Sequence, residues 1–203
     1  MVDLFLAGGD FMWPILGLFI IGLAYVIERF WTLTRASVNT RKFLANLHKA
    51  LEDGGVEAAA AECENTPGPV ASILHAGLSR TSKGLESVEK AISNAGSIEM
   101  AFLERGMIVL STVIVLAPML GFTGTVSGMV SAFDAIKKAN DISPAIVAGG
   151  ISQALLTTLF GLVVAMIIQI FYNYFSSKID RLIIDMEESS IELMDALVEL
   201  QNK

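Results

Sequence analysis

Residues 106–133, GMIVLSTVIVLAPMLGFTGTVSGMVSAF, form an unbroken run without a charged side chain. Residues 11–27 and 142–177 form two further uncharged runs. Each run reaches or exceeds the length that a helix needs to cross a hydrocarbon core, about 17–25 residues. The mean hydropathy of +0.60 and the hydrophobic content of 53% are also typical of a membrane protein. We therefore expect an all-α membrane protein with three transmembrane helices, long cytoplasmic helical extensions and a small helical cytoplasmic insertion.

The positions of Lys and Arg predict the orientation of these helices, because cations concentrate on the cytoplasmic side. Residues 1–10 contain none, whereas Arg29 and Arg35 follow the first run and Lys178 and Arg181 follow the third. We expect a multi-pass protein of the bacterial inner membrane with a periplasmic N-terminus and a cytoplasmic C-terminus. A cleaved signal peptide has Lys or Arg before its apolar run, and this sequence has none there. We therefore expect the first run to be retained as a transmembrane helix.

This orientation divides the chain into seven expected segments. They are a periplasmic N-terminus (1–10), transmembrane helix 1 (11–33), a cytoplasmic helical loop (34–105), transmembrane helix 2 (106–133), a periplasmic link (134–141), transmembrane helix 3 with a cytoplasmic extension (142–177) and a cytoplasmic C-terminal helix (178–203).

Several turn signals subdivide the polar segments. Gly54 and Gly55 are expected to stop a helix that begins near residue 40, and Pro67 and Pro69 mark a turn. A helix that starts near Gly84 is expected to run straight into the second transmembrane helix. Ser143 is expected to cap the third transmembrane helix at its N-terminus. The C-terminal helix has apolar residues at spacings of three and four, so it should pack against a partner or its own copies.

Composition and pattern exclude several kinds of site. The net charge of −7 argues against nucleic acid binding. Cys63 is the only cysteine, so no internal disulfide is possible. We interpret His48 and His75 as surface or packing residues and not as metal ligands. We expect no metal and no cofactor. An intramembrane enzyme is poorly supported, because the runs contain no Ser–His or Ser–Lys pair and no aspartate.

Small residues concentrate on one face of each of the last two runs. In lipid, helices associate through close backbone packing, which small residues permit. We expect the following residues to pack helices together and to hold copies of the chain in an oligomer: Gly121, Gly124, Gly128, Gly150, Ala154, Gly161 and Ala165.

Uncharged polar residues occur at a similar depth in the same two runs. Thr125 lies on the first of them, and Gln153, Thr157 and Thr158 lie on the next. These side chains could line a polar path for a hydrated ion. The runs contain no carboxylate, whereas proton conduction usually requires an ionisable group inside the membrane. If the protein conducts protons, the titrating group must come from another chain.

At these residues the sequence resembles the ExbB/TolQ/MotA stator subunits of ion-driven bacterial motors. The resemblance covers nearly the whole chain, and its most specific motifs are APMLGFTGTVSGMVSAF (117–133) and GGISQALLTTLFGLVVAM (149–166). The three-helix layout is closest to ExbB and TolQ. The resemblance implies a homo-oligomer, a pentamer, in the lipid bilayer around an ExbD- or TolR-like single-span partner whose membrane aspartate carries the proton. It also implies that Thr125 and Thr158 line the pore near that aspartate.

The sequence departs from this family at Gln153, where many relatives have glutamate, and glutamine cannot carry a proton. Either the glutamate is dispensable here, or the ion path and the coupled ion differ, so proton and sodium both stay open. The expected function is that of an inner-membrane stator and ion-channel subunit that couples ion motive force to mechanical work across the envelope. The alternative is a structural membrane scaffold that oligomerises without conducting ions.

Overall fold

The computed structural model describes residues 2–37, 39–139 and 144–201, and the side chains of residues 4–37, 39–138 and 147–200. Within these ranges every regular element is helical, as expected for an all-α fold. The elements are α1 (Val2–Ala7), α2 (Met12–Ala36), α3 (Thr40–Asn65), α4 (Pro69–Leu78), a 3₁₀ turn (Thr81–Lys83), α5 (Leu85–Glu104), α6 (Met107–Ala139) and α7 (Pro144–Gln201). Three helical segments, which contain α2, α6 and α7, are long and apolar enough to cross a membrane. These findings confirm the predicted fold class.

The chain forms two compact units. The membrane unit comprises Met1–Glu28 and Gly106–Tyr174, and the polar unit comprises Arg29–Arg105 and Phe175–Lys203. Both α2 and α7 contribute residues to each unit. The long uncharged runs thus fall largely in the membrane unit, and the segments rich in charge fall in the polar unit.

The membrane unit packs α2 against α6 and α7 through a close contact at Gly22. A Cβ atom at Gly22 would lie 3.0 Å from Cδ1 of Ile168 on α7 and 3.3 Å from Cγ1 of Val113 on α6. Ile168 and Val113 are themselves buried. The missing side chain at Gly22 therefore lets three helices meet at one level.

The polar unit is built on an apolar face of α3. Phe43, Leu47 and Leu51 are buried on that helix. A Cβ atom at Gly77 of α4 would lie 2.6 Å from Cγ1 of Ile92 on α5, so these two helices are also in close contact. The packing of α3, α4 and α5 gives the polar unit a hydrophobic core of its own.

The structure differs from the expected helix boundaries at two glycines. The helix expected to start near Gly84 does not run into the second transmembrane helix, because α5 ends at Glu104 and α6 begins at Met107. Gly106 between them has a φ of 89°, a conformation that favours glycine. The expected stop at Gly54 and Gly55 is a kink inside α3, where Gly55 alone has non-helical angles of φ 70° and ψ −162°.

Two further expectations concern residues near the end of α6. The helix continues to Ala139, so it extends into the stretch 134–141 that the sequence assigns to a periplasmic link. The cap expected at Ser143 lies outside the described residues.

A buried arginine holds the C-terminal end of α5. Arg29 of α2 is only 3% exposed, and its Nη1 donates to the carbonyl oxygens of Leu103 at 3.2 Å and Phe102 at 3.5 Å. The last carbonyls of a helix have no partner within the helix, and their partial negative charge favours a cation. Arg29 therefore caps α5 just before the break at Gly106.

We predict that Arg29→Met lowers the stability of the protein, by about 1–3 kcal/mol, because the α5 carbonyls lose a charged donor. Arg35→Met is the matched control, since Arg35 lies on the same helix but is exposed. Thermal unfolding in detergent, followed by circular dichroism, measures both. An Arg29→Met protein as stable as the Arg35→Met control would contradict the capping role.

A paired-threonine site in the membrane unit

The helices α6 and α7 approach each other until their backbones are in contact. A Cβ atom at Gly161 would lie 2.5 Å from the carbonyl oxygen of Ala117. A Cβ atom at Gly121 would lie 2.9 Å from the carbonyl oxygen of Thr157 and 3.0 Å from Cα of Thr158. Because these neighbours are backbone atoms, no side-chain rotation could make room for a larger residue. Glycine is required here by close approach.

The same contact continues along both helices and forms a seam, which we define as Ala117, Gly121, Gly124, Gly128 and Ala132 on α6 and Gly150, Ala154, Thr157 and Gly161 on α7. Gly128 lies against Ala154, and Gly150 lies against Ala132, where added Cβ atoms would be 3.0 Å and 2.5 Å from the facing Cβ atoms. Ala165, the remaining small residue predicted to pack, is also buried. The structure thus uses these faces to join two helices of one chain, whereas the sequence suggested that they would also join copies.

Two threonines predicted for the ion path meet across this seam. The hydroxyl oxygens of Thr125 on α6 and Thr158 on α7 are hydrogen-bonded to each other. Thr125 Oγ1 also lies 3.1 Å from the carbonyl oxygen of Ala154, and Thr158 Oγ1 lies 3.1 Å from that of Gly121. Both side chains are half-buried. The structure therefore brings together two residues that are 33 positions apart in sequence.

The hydrogen bonds of this pair define what it can do chemically. Each hydroxyl has one proton to donate and two lone pairs to accept. One proton makes the bond between the two hydroxyls, and the other is donated to a carbonyl, that of Ala154 or that of Gly121. Lone pairs then remain for a water molecule or a hydrated cation. To donate to an external carboxylate, Thr125 or Thr158 would turn its proton away from a carbonyl of its own chain.

The other two polar residues predicted for the path have different surroundings. Thr157 is 1% exposed, and its hydroxyl donates to the carbonyl oxygen of Ala154 at 2.8 Å. A Cβ atom at Gly124 would lie 2.6 Å from that hydroxyl oxygen, so α6 covers Thr157. Its burial in the seam assigns Thr157 a packing role within the chain.

Gln153 lies against the start of the chain. A Cβ atom at Gly9 would be 1.9 Å from Nε2 of Gln153, and Gly9 has a φ of 75°. The loop between α1 and α2 therefore covers the amide of Gln153. The packing of the loop over Gln153 is a contact that sequence reasoning missed, and the only local signal for it was the pair Gly8–Gly9.

Other hydroxyls of α6 bond within their own helix. Thr112 Oγ1 donates to the carbonyl oxygen of Ile108 at 2.7 Å, and Thr123 Oγ1 donates to that of Met119 at 2.8 Å. Both side chains are exposed on the single chain. Such bonds satisfy a hydroxyl in lipid without any partner helix. Among the described residues, no cluster of His, Cys, Asp or Glu could hold a metal ion.

Comparison with known proteins identifies relatives of this chain. Residues 65–188, which include both threonines of the pair, match the sequence profile of the MotA/TolQ/ExbB proton channel family. The chain is similar to a putative biopolymer transport protein, ExbB homolog, of Methanothermobacter thermautotrophicus, with 33% identity over 88% of the chain and 64% of that protein. It is 28% identical to an ExbB-like protein of Synechocystis over 93% and 92% of the two chains.

A third similarity covers less of the chain. The Tol-Pal system protein TolQ of Pseudomonas aeruginosa is 36% identical over 49% of this chain and 43% of its own length. The chain thus spans about two thirds or less of the length of two of these three relatives.

We predict that Gly161→Ala destabilises the protein by about 1–3 kcal/mol, because the new methyl group would meet the Ala117 backbone. Gly17→Ala is the matched control, since a Cβ atom there would meet no atom within 4 Å. Thermal unfolding of both variants in the same detergent provides the comparison. Equal unfolding temperatures would show that α6 and α7 are not in backbone contact at this level.

Proposed function

Because this chain belongs to the MotA/TolQ/ExbB proton channel family, we propose that it is the channel and stator subunit of an ion-driven motor. The subunit couples ion motive force to mechanical work across the cell envelope. It acts in the bacterial inner membrane as a homo-oligomer, a pentamer, around an ExbD- or TolR-like single-span partner. The membrane aspartate of that partner supplies the titrating group.

One observation carries this proposal. The Thr125–Thr158 pair places two hydroxyls side by side in a helix seam that has no carboxylate of its own. An ion cannot be desolvated in hydrocarbon without polar groups to replace its water. Hydroxyls and backbone carbonyls replace water, but they do not titrate at physiological pH. The site therefore suits an ion that is passed to and from a carboxylate on a neighbouring helix.

The hydrogen bonds suggest how the pair serves that carboxylate. When the aspartate is ionised, Thr158 turns its proton from the Gly121 carbonyl toward the carboxylate, and this bond favours the charged form. When the aspartate is protonated, the hydroxyl returns to the carbonyl. The exchange replaces one hydrogen bond with another, so its energetic cost is small. Alternation between the two states follows the protonation of the partner.

Gly121 makes this exchange geometrically simple. It has no side chain over its carbonyl oxygen, and that oxygen accepts from Thr158 of the facing helix at 3.1 Å. The carbonyl of Ala154 lies 3.1 Å from Thr125 Oγ1 and is the alternative acceptor when Thr158 donates to Thr125. The seam thus provides both the close approach of the helices and the resting acceptors of the two hydroxyls. Thr157 and Gln153 have no part in this step.

A structural scaffold is the second candidate, and one observation favours it. Both hydroxyls of the pair already have acceptors within their own chain, so the pair is complete without an ion. Ion flux distinguishes the candidates. The chain and its partner are reconstituted in liposomes with a pH- or sodium-sensitive dye inside. Ion uptake that depends on the partner aspartate supports the motor subunit, and its absence supports the scaffold.

We predict that Thr158→Val abolishes most of the ion-driven function while the complex still assembles. Valine keeps the shape of threonine and removes the hydroxyl. Thr158→Ser should keep much of the function, because the hydroxyl remains. Growth under a condition that requires the energised process measures function, and co-purification with the partner measures assembly.

Thr112→Val is the matched control for this experiment, since the Thr112 hydroxyl donates to the carbonyl oxygen of Ile108 on its own helix. It should grow like the unmodified protein. Full growth of a Thr158→Val strain would leave Thr158 with a packing role and would remove it from the proposed mechanism.

The proposed orientation has the N-terminus in the periplasm and residues 34–105 in the cytoplasm, and Ser82 is a suitable probe for it. Ser82 is exposed in the 3₁₀ turn. Cys63 is buried, and burial raises the pKa of its thiol to about 12, so little reactive thiolate forms at neutral pH. The native cysteine should therefore give a low background.

We predict that Ser82→Cys is labelled by a membrane-impermeant maleimide only after cell lysis. The unmodified chain should show weak labelling before and after lysis, because its only thiol is Cys63. Labelling of Ser82→Cys in intact cells would reverse the proposed orientation.

A further inference from the structure

The polar unit has a groove between α5 and the C-terminal part of α7. Residues 89–100 of α5 and 183–195 of α7 border a volume of about 710 Å³. The groove has an apolar floor that includes Ile92, Met100, Ile183 and Met194. Methionine side chains adapt to the shape of a bound surface. At one edge, Ile191 is 64% exposed, which leaves a large apolar side chain uncovered in a unit rich in charge.

The dimensions of the groove fit a helix. Roughly twelve residues of each bordering helix flank it, which at 1.5 Å per residue gives a length of about 18 Å. A guest helix of about three turns has the same length. Helices that bind such grooves insert apolar residues at spacings of three and four.

The charges around the groove are of one sign. Among the described residues that line it, the charged ones are Glu89, Glu187 and Asp195, and all three are acidic. Because complementary charges favour association and like charges oppose it, the groove favours a guest with Lys or Arg beside its apolar residues. An anionic lipid surface would be repelled.

A second copy of the chain fits these charges poorly through the same helices. The outer face of α7 in the polar unit carries the exposed residues Glu188, Glu192 and Glu199. An α7 helix of another copy would therefore bring more negative charge to an acidic rim. Charge complementarity selects a different partner.

We infer that this groove binds a cationic amphipathic helix of a partner protein. The identity of the partner rests on the proposed function, in which a single-span protein passes through the oligomer. Cations concentrate on the cytoplasmic flank of a transmembrane helix. That flank of the partner is thus the segment with the chemistry that the groove requires, and the groove is a second attachment point besides the membrane.

Binding of a model peptide to the purified full-length chain tests the inference without the partner or an ion gradient. The probe is a fluorescent Leu/Lys peptide of about three helical turns, with Leu at spacings of three and four. A Leu/Glu peptide of the same pattern is the control. Fluorescence anisotropy in detergent should show salt-dependent binding of the Leu/Lys peptide and much weaker binding of the Leu/Glu peptide.

Two variants test whether the peptide occupies this groove. Gly96 lines it, and a Cβ atom there would meet no atom within 4 Å, so Gly96→Leu fills the groove without disturbing the fold. Its control is Asn94→Leu, on the same helix but outside the groove and exposed. The double reversal Glu187→Lys with Asp195→Lys is matched by Glu188→Lys with Glu199→Lys, which changes the net charge equally.

We expect Gly96→Leu and the rim reversal each to weaken binding by roughly tenfold or more, whereas the two controls leave it nearly unchanged. Equal effects of the two charge reversals would overturn the inference, because binding would then follow net charge. Unchanged binding in Gly96→Leu would overturn it as well. If Gly96→Leu instead altered only the oligomer mass, the occupant would be a second copy and the inference would be wrong.

The result is independent of the proposed function. Groove-specific binding without ion flux in liposomes would leave the docking surface in place and remove the motor. Ion flux without peptide binding would support the motor and overturn the docking surface.

Discussion

The backbone contact between α6 and α7 is the constraint on which the membrane unit depends. In lipid, two helices gain no hydrophobic free energy by meeting, so their association relies on van der Waals contact, hydrogen bonds and backbone proximity. At Gly121 and Gly161 the facing atoms belong to the backbone of the partner helix. Every added methyl group at these positions would push the helices apart. At these positions the seam therefore accepts only glycine, because the two backbones are already in contact.

The paired threonines are a consequence of the same seam. A hydroxyl on one helix reaches a carbonyl on the other only where the backbones are close and no side chain intervenes. Thr158 reaches Gly121, and Thr125 reaches Ala154, because both conditions hold. In a membrane, a polar side chain without such a partner would be costly. Packing and chemistry thus share one set of atoms, so a change that opens the seam also removes the acceptors of the hydroxyls.

The polar unit follows different rules, because water provides a hydrophobic driving force there. Its core forms from the buried face of α3 and the close contact of α4 with α5. Arg29 shows how charge is used in this unit, since its buried guanidinium satisfies carbonyls at the end of α5. The acidic groove between α5 and α7 is one part of this surface where apolar area remains uncovered. A buried cation thus completes one helix end, while exposed anions surround the proposed docking surface.

The sequence alone determined the all-α membrane fold and the three apolar helices, and it singled out the two threonines that the structure brings into contact. These features depend on composition and local spacing, which each segment of the chain contains in full. It also located the turn glycines, but it misjudged Gly106, because whether a glycine continues a helix or adopts a positive φ depends on what the next helix packs against. Tertiary contacts also separated the residues predicted for the ion path. Thr157 is covered by α6 at Gly124 although it is adjacent to Thr158, and Gln153 lies under the loop that contains Gly9. Only the tertiary structure could decide that the small-residue faces meet each other within one chain, since a stripe of glycines describes a surface that permits close approach and does not specify the surface that approaches it.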